Sequence, residues 1–554
     1  MHKSFQSLIC LCAVLLSGCA DAGDDHVADD NPVVSAPAGK VKGVAQDGIN
    51  IFKGIPYAEA PVGELRWKPT VRLAAWDGVR DAQEFGPACI QPQLKNASSE
   101  SVYAYDIGEI SEDCLTLNIW APEDAKDAPV FFWIHGGALR AGSGKEPLYE
   151  GTKFAEQGVI VVSVNYRLGV LGFYSHPELS AESPDGSSGN YGLLDQIAAL
   201  EWVKDNISAF GGDPEQVTIA GESAGALSVM YLMTSPKAEG LFDGAIAQSA
   251  YMVTTPALAE MKHGVPSAED VGLATAKAMG VENIADLRAM DAQEVYEQAN
   301  KVRFAPFGVV DGVIIPDQPV AVFERGEQAP VPLLVGFNSG EVRSMRALAP
   351  AAPDSAEAYE DVIRARYGDL ADEFLRLYPS ETLEDSIVAA TRDALYGWTS
   401  ERMAKNQTAL GQSAYLYMFD HGYPAADERG LHGFHASELP YVFGTLDLTP
   451  MNWPKIPDTD AEKEFSAAMT SYWANFAKTG TPSAPGAAEW ASFNEDEAYM
   501  AFEDQPRADH HLMPGMYELH EETVCRRRAS GSLPWNWNTG LWSPVLPSET
   551  ADCP

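Results

Sequence analysis

Val217-Thr218-Ile219-Ala220-Gly221-Glu222-Ser223-Ala224-Gly225, followed by Leu227, Met230 and Tyr231, reads as a strand that stops at a serine and turns at once into a helix. Val217 to Ala220 has the length and apolar character of a strand buried on both faces of a sheet. The next five residues fit G-x-S-x-G, in which the serine sits on a sharp strand-to-helix turn and small neighbours relieve the crowding. The helix expected from about Ala224 aims its N-terminal N–H groups and its dipole at developing negative charge. Alone, the pentapeptide could equally be a glycine-rich turn. The strand before it and the amphipathic run after it select a nucleophile.

Outward from this point the same pattern repeats. Val130-Phe131-Phe132-Trp133-Ile134 ends at His135-Gly136-Gly137, Val159 to Val164 ends at Asn165-Tyr166-Arg167, and Pro332-Leu333-Leu334-Val335 is a further apolar run. Leu193, Leu194, Ile197, Ala198, Leu200, Trp202 and Val203 have helical spacing. Buried strands alternating with helices predict an α/β fold with a mostly parallel central sheet. One large domain over residues 40–530 is expected, with residues 255–300 and 353–415 as largely helical insertions around the mouth of a site. Residues 531–554, rich in Pro, Trp, Ser and Gly, read as an irregular tail.

The start of the chain has a different character. His2 and Lys3 precede an apolar run from Leu8 to Leu16, too short to span a bilayer and suited to a secretory signal over residues 1–18. Leu16-Ser17-Gly18-Cys19 resembles a bacterial lipobox, which would leave Cys19 as a lipid-bearing first residue; the alternative is a plain signal peptide. Ala20, rather than Asp, follows Cys19, the pattern of outer-membrane sorting in Gram-negative lipoproteins. Residues 19–39, rich in Asp, Ala and Pro, are expected to form a flexible tether. The expectation is therefore an exported protein that meets a membrane only through its N-terminal lipid.

Charge excludes one class of partner. With 79 Asp+Glu against 38 Lys+Arg and a net charge of −41, the chain lacks the basic footprint that nucleic-acid binding needs. A well-solvated surface accounts for the charge, and a salty habitat would fit too. Of the 7 cysteines, Cys10, Cys12 and Cys19 lie in the leader. Cys89, Cys114, Cys525 and Cys553 remain, an even set suited to an oxidising compartment. Three pairings are open, and proximity favours Cys89–Cys114 with Cys525–Cys553. No metal-ligand spacing accompanies them, and no cofactor is implied.

His135-Gly136-Gly137-Ala138 follows its strand as the HGGG-type loop of esterases and lipases does. Backbone N–H groups of Gly137, Ala138 and Ala224 are the expected oxyanion donors. Further motifs make the likeness specific. Phe52-Lys53-Gly54-Ile55-Pro56-Tyr57-Ala58, Pro61 to Arg66, Glu112-Asp113-Cys114-Leu115-Thr116-Leu117-Asn118-Ile119, Asn165 to Gly169, Gly189 to Gln196 and Phe210-Gly211-Gly212-Asp213-Pro214 through Gly225 together resemble the type-B carboxylesterase/cholinesterase family on the α/β-hydrolase fold. The resemblance runs from about Gly43 to Phe502 and implies a Cys89–Cys114 disulfide.

Eleven histidines compete for the role of base. His2 and His26 precede the fold, His176 sits in a polar loop, and His510 and His511 read as exposed. His432 and His435 share one glycine-rich stretch. The segment His435-Ala436-Ser437-Glu438-Leu439-Pro440-Tyr441-Val442-Phe443-Gly444 resembles the family's histidine segment and so implies His435. The acid should lie between serine and histidine in chain order, just past a central strand. Gly336-Phe337-Asn338-Ser339-Gly340-Glu341 resembles the family's G-x-N-x-D-E-G, with Gly340 for Asp and Val342 for Gly, and implies Glu341; Asp311 is the runner-up. By the same resemblance Glu222 and Ser249 stand behind these groups. The expected activity is hydrolysis of small-molecule carboxylic esters through an acyl-enzyme. A cholinesterase-like enzyme would want an aromatic cage for a quaternary ammonium; Tyr103 and Tyr105 lie in the right loop, but the family's Trp is absent. A hydrolase of bulky xenobiotic or toxin esters is a further alternative, and a non-catalytic adhesion-type member is disfavoured by a complete Ser, His and Glu set.

Overall fold

The computed structural model describes residues 31–92, 101–535, 539–551 and 553. Its centre is an eleven-stranded sheet built from β1 Val44–Gln46, β2 Ile49–Pro56, β3 Thr116–Pro122, β4 Ala128–Ile134, β5 Ile160–Val164, β6 Gly212–Glu222, β7 Gly244–Gln248, β8 Leu333–Asn338, β9 Ala414–Phe419, β10 Ala498–Phe502 and β11 Pro506–His510. The spatial order is β11-β10-β9-β8-β7-β6-β4-β5-β3-β2-β1. Strands β4 to β10 run parallel, and β1, β2, β3 and β11 pair antiparallel at the two edges. The parallel strands are the ones covered on both faces, which is why their sequences are continuously apolar rather than alternating. Every residue of β5, β7 and β8 is buried, and helices such as Tyr191–Asn206 and the wholly buried Ala224–Thr234 pack over them. This is the α/β-hydrolase architecture.

Register decides where the site falls. Gly221 of β6 is level with Ile134 of β4, and Glu222 is level with Gln248 of β7. The carboxyl ends of β4, β6, β7 and β8 therefore release His135, Ser223, Ser249 and the Ser339–Glu341 turn at one edge of the sheet. That edge, where the chain leaves the strands, is where open α/β sheets carry their ligands.

Three boundaries differ from the sequence reading. The last part of the tether expected over 19–39 is ordered instead, because Val33–Ala36 is a strand paired antiparallel with Gly39–Lys42. Four residues, Val-Val-Ser-Ala, are too few for a periodicity signal, yet Val41 opposite them is buried and anchors the hairpin. The stretch 353–415 contains helices Ala356–Tyr367, Ala371–Leu377, Leu383–Arg392 and Trp398–Ala409, but its last two residues open β9. In 255–300 the helices Ala268–Ala278, Ile284–Ala289 and Ala292–Lys301 begin only after Ser267 caps the first of them through its side chain. Cys89 pairs with Cys114, Cα–Cα 5.0 Å, and Cys525 with Cys553, Cα–Cα 5.7 Å. Among its described residues the tail is irregular apart from a short 3₁₀ turn at Gly540–Trp542. Residues 1–18 and Cys19, together with His2 and His26, lie outside the described residues.

Candidate active site

Ser223 occupies the turn between β6 and the helix Ala224–Thr234 with φ 57° and ψ −119°. A residue with a Cβ is strained there. The turn is held by Ser223 N donating to Gln248 O at 2.8 Å and by Leu227 N donating to Ser223 O at 2.9 Å. Glycine is required on both sides of it. A Cβ at Gly221 would lie 2.5 Å from Gly225 C, and a Cβ at Gly225 would run into Ile134 O. Gly136 on the facing loop would place a Cβ 2.8 Å from Glu222 Oε2 and 3.3 Å from Ser223 Cβ. Its bareness lets the loop after β4 pass against the serine.

That loop continues with Gly137 at φ 101° and Ala138 at φ 56°, both exposed. Among the described residues, the N–H groups of Gly137, Ala138 and Ala224 make no hydrogen bond of their own. The first two lie on an open rim beside half-buried Ser223, and the third belongs to the first residue of the helix behind it. His135 beneath them is buried, stacks on Tyr166 at 4.5 Å and is held neutral by burial, its pKa lowered to about 4.

The structure brings His435, Glu341, Ser249 and Glu222 together. His435 Nδ1–H donates to Glu341 Oε2, both side chains being buried. Glu341 Oε1 accepts from Ser249 Oγ at 2.5 Å and from Asn338 N at 2.9 Å, so the carboxylate cannot rotate. With Nδ1 occupied, Nε2 is the free face of the imidazole. It lies 3.0 Å from Glu222 Oε1, an ion-pair approach that leaves Oε1 without an aligned hydrogen bond. No hydrogen bond joins Nε2 to Ser223 Oγ in this structure.

Charge around the imidazole is one-sided. Burial pulls its pKa down, but the carboxylates of Glu222 and Glu341 outweigh that and hold it well above the usual histidine range. Burial raises the Glu222 carboxyl, and His435 pulls it back in part. A third buried carboxyl, Glu438, accepts from Gln248 Nε2 at 2.8 Å and Asn338 Nδ2 at 2.5 Å. Burial, then Glu222, pushes it up to about 8, so it is protonated at neutral pH.

The other candidates fall elsewhere. Asp311 organises a loop: Oδ1 accepts from the N–H groups of Val313, Ile314 and Ile315, and Oδ2 accepts from Asn190 Nδ2. His176 is buried and caps the helix Pro177–Glu182. His510 and His511 are exposed. Tyr103 donates to His435 O at 2.9 Å and shares a 2.6 Å hydrogen bond with Ser344 Oγ, its ring edge-on to His435 and Trp453. Two neighbours were not legible in the sequence. Glu438 sits three residues past the histidine, a position that only structure makes meaningful. Tyr396, tilted against the imidazole at 5.6 Å, is presented by a π-turn at Asp393–Gly397 that interrupts two helices. Such insertions occur often at functional sites but carry no local sequence signal. No group of three or more His, Cys, Asp or Glu among the described residues is arranged to hold a metal.

Comparison with known proteins identifies the family and the fold. A family model described as the carboxylesterase family matches residues 30–519. The chain is 36% identical over 500 residues to the fumonisin B1 esterase of Sphingopyxis macrogoltabida, covering 86% of this chain and 87% of that protein. It is 36% identical over 475 residues to the para-nitrobenzyl esterase of Bacillus subtilis, covering 84% and 93%. Among solved structures, a PNB esterase superposes with a TM-score of 0.75 at 33% identity, covering 88% of this chain and 99% of that one. A Geobacillus stearothermophilus carboxylesterase superposes with a TM-score of 0.70 at 32% identity.

Proposed function

The chain belongs to the carboxylesterase family, and we propose that it hydrolyses carboxylic esters with Ser223 as nucleophile, His435 as general base and Glu341 as the orienting acid. The observation that carries this reading is the buried contact of His435 Nδ1 with Glu341 Oε2, which leaves Nε2 facing the carboxylate of Glu222, the residue directly before Ser223.

In this reading the Ser223 hydroxyl gives its proton to Nε2 as Oγ attacks the ester carbonyl. Catalytic hydrogen bonds tighten in the Michaelis complex, and the imidazole closes on Oγ when substrate fills the rim. The tetrahedral oxyanion takes hydrogen bonds from the N–H groups of Gly137, Ala138 and Ala224, each contributing about 10²–10³ in rate. Nε2 then protonates the departing alcohol, leaving an acyl-Ser223 ester that water, deprotonated by the same nitrogen, hydrolyses. Glu222 stabilises the imidazolium in both halves. Ser223→Ala is expected to lower kcat by about 10⁶-fold on p-nitrophenyl acetate; a purified variant that keeps turning over would remove Ser223 from the role.

A panel of p-nitrophenyl esters from acetate to palmitate, with para-nitrobenzyl acetate and fumonisin B1, ranks acyl and alcohol preference. We also propose that the chain is exported and anchored through lipid on Cys19. Labelled palmitate should enter the protein and disappear in Cys19→Ser, and globomycin should block processing.

A further inference from the structure

We propose that His432 is a positioning residue for ester hydrolysis: braced as a cation between Asp420 and Asp427, it fixes the loop that carries the His435 imidazole. The proposal rests on His435 being the base. His432 makes no contact with the catalytic groups, but both of its ring nitrogens are engaged. Nδ1 donates to Asp427 Oδ1 at 2.8 Å and Nε2 to Asp420 Oδ1 at 3.1 Å. A neutral imidazole has one donor and one acceptor nitrogen, and an acceptor facing a carboxylate repels it. Two carboxylate partners therefore select the imidazolium. The side chain is about a third exposed, so the group is reached by water and titrates freely.

Geometry makes this brace specific. His432 has φ 50°, a left-handed backbone that a residue with a Cβ holds only when its surroundings enforce it. The ring fills the space over Gly422, where a Cβ would collide with Nδ1. Asp420 follows β9 directly, and Asp427 ends the short helix Pro424–Asp427, so the ring ties two separate elements to its own loop. From His432 the loop is stitched forward. Phe434 N donates to His432 O at 2.9 Å, Gly340 N donates to Gly433 O at 2.7 Å, and Asn338 Nδ2 donates to Phe434 O at 2.9 Å. A shift at residue 432 thus moves the base at 435 and the acid's turn at 338–341 relative to Ser223.

The charged groups lining the same cleft are Asp420, Asp427, Arg343 and Arg392. The hydrogen bond to Asp420 leads the effects that raise His432 to about 9, against partial burial. The cation is fully present below the ordinary histidine pKa of about 6.5, and it is lost as pH rises through about 9. Above that pH the brace relaxes.

The test is kcat and KM for p-nitrophenyl butyrate from pH 6 to 10.5, with the buffer rate subtracted and active sites counted by organophosphate titration. Wild type should lose kcat, not KM, on the alkaline side near pH 9. His432→Gln should show about 10-fold lower kcat at pH 7.5, since small misplacements of a catalytic group are costly, and no alkaline fall. Asp427→Asn removes the more exposed partner and should move the alkaline fall to lower pH. This second variant decides the matter if His432→Gln does not fold. A His432→Gln or Asp427→Asn enzyme with wild-type kcat and an unshifted alkaline limb would overturn the proposal. His435→Gln, measured alongside, reports on the base itself: activity surviving in it would sink the base assignment, whatever His432 does.

Discussion

At the residue scale the site is a contest between burial and charge. His435 is buried, which should favour a neutral ring, yet two carboxylates face it and win. An imidazole held that high must lose its proton before it can act as base, so the acid limb of kcat/KM should lie above the usual histidine range of about 6.5. Glu222→Gln removes one of the two charges. The imidazolium then loses a partner, its pKa falls, and the acid limb should move to lower pH, with kcat reduced because the same imidazolium forms in the transition state. A pH profile of the variant that coincides with wild type would mean that Glu222 is not felt at Nε2. Glu438 shows the opposite balance. Its folded-state pKa of about 8 lies far above an unfolded glutamate, so its contribution to stability is full below the unfolded value of about 4.3 and is lost as pH rises through about 8. Glu438→Gln removes the titrating proton and gives up one acceptor, since its amide nitrogen cannot accept as a carboxyl oxygen does. Its melting temperature should therefore fall less between pH 5 and pH 8 than that of wild type, and equal slopes by calorimetry would refute the assignment.

At the element scale the nucleophile depends on a strand and a helix meeting without room to spare. Gly225 opens the helix Ala224–Thr234, and its missing side chain is what allows that helix to pack on Ile134 of β4. Gly225→Ala should cost at least about 2 kcal/mol of stability, the range of overpacked cores, and should move Ser223 enough to abolish turnover. A denaturant midpoint unchanged from wild type would show that the helix can shift to accept the methyl. The same elements explain what was legible. β4, β5, β6 and β8 were readable because strands buried on both faces are written as unbroken apolar runs ending in turn residues. β7, Gly-Ala-Ile-Ala-Gln, was not: three of its five residues are Gly or Ala, and small residues carry little signal. β9 was hidden by the helix before it, since Tyr, Leu, Met and Phe suit either state. Ser223 announces itself through local turn chemistry. Glu341 and His435 are distant in sequence, and only likeness to the family, or their meeting at the sheet's edge, selects them.

At the scale of the whole molecule, cross-links and charge pull in opposite directions. The Cys89–Cys114 bridge closes a loop that contains Tyr103, whose hydroxyl meets His435 O. Replacing both cysteines by alanine should cost about 3.5 kcal/mol in the chain-entropy model, with kcat falling further than the loss of folded protein explains. Against this stands self-repulsion. The 79 acidic residues outnumber the 38 Lys and Arg, a formal excess of 41 negative charges before histidine is counted. The ion pairs that do form are largely exposed, as Lys153–Glu156 and Arg507–Glu503 are, and such pairs contribute little, about 0–1 kcal/mol each. Long-range repulsion between surface carboxylates therefore dominates the electrostatic part of stability, and it acts on the compact state more than on the expanded chain. Screening falls from about 30 Å at 0.01 M salt to about 10 Å at 0.1 M, so most of the repulsion between neighbouring acidic surfaces disappears over that interval. The melting temperature should accordingly climb steeply between about 0.01 and 0.1 M NaCl and then level off. NaCl and KCl should give the same curve, because the effect depends on ionic strength and not on a bound ion. A flat response in calorimetry would show that the surface carboxylates lie too far apart to repel.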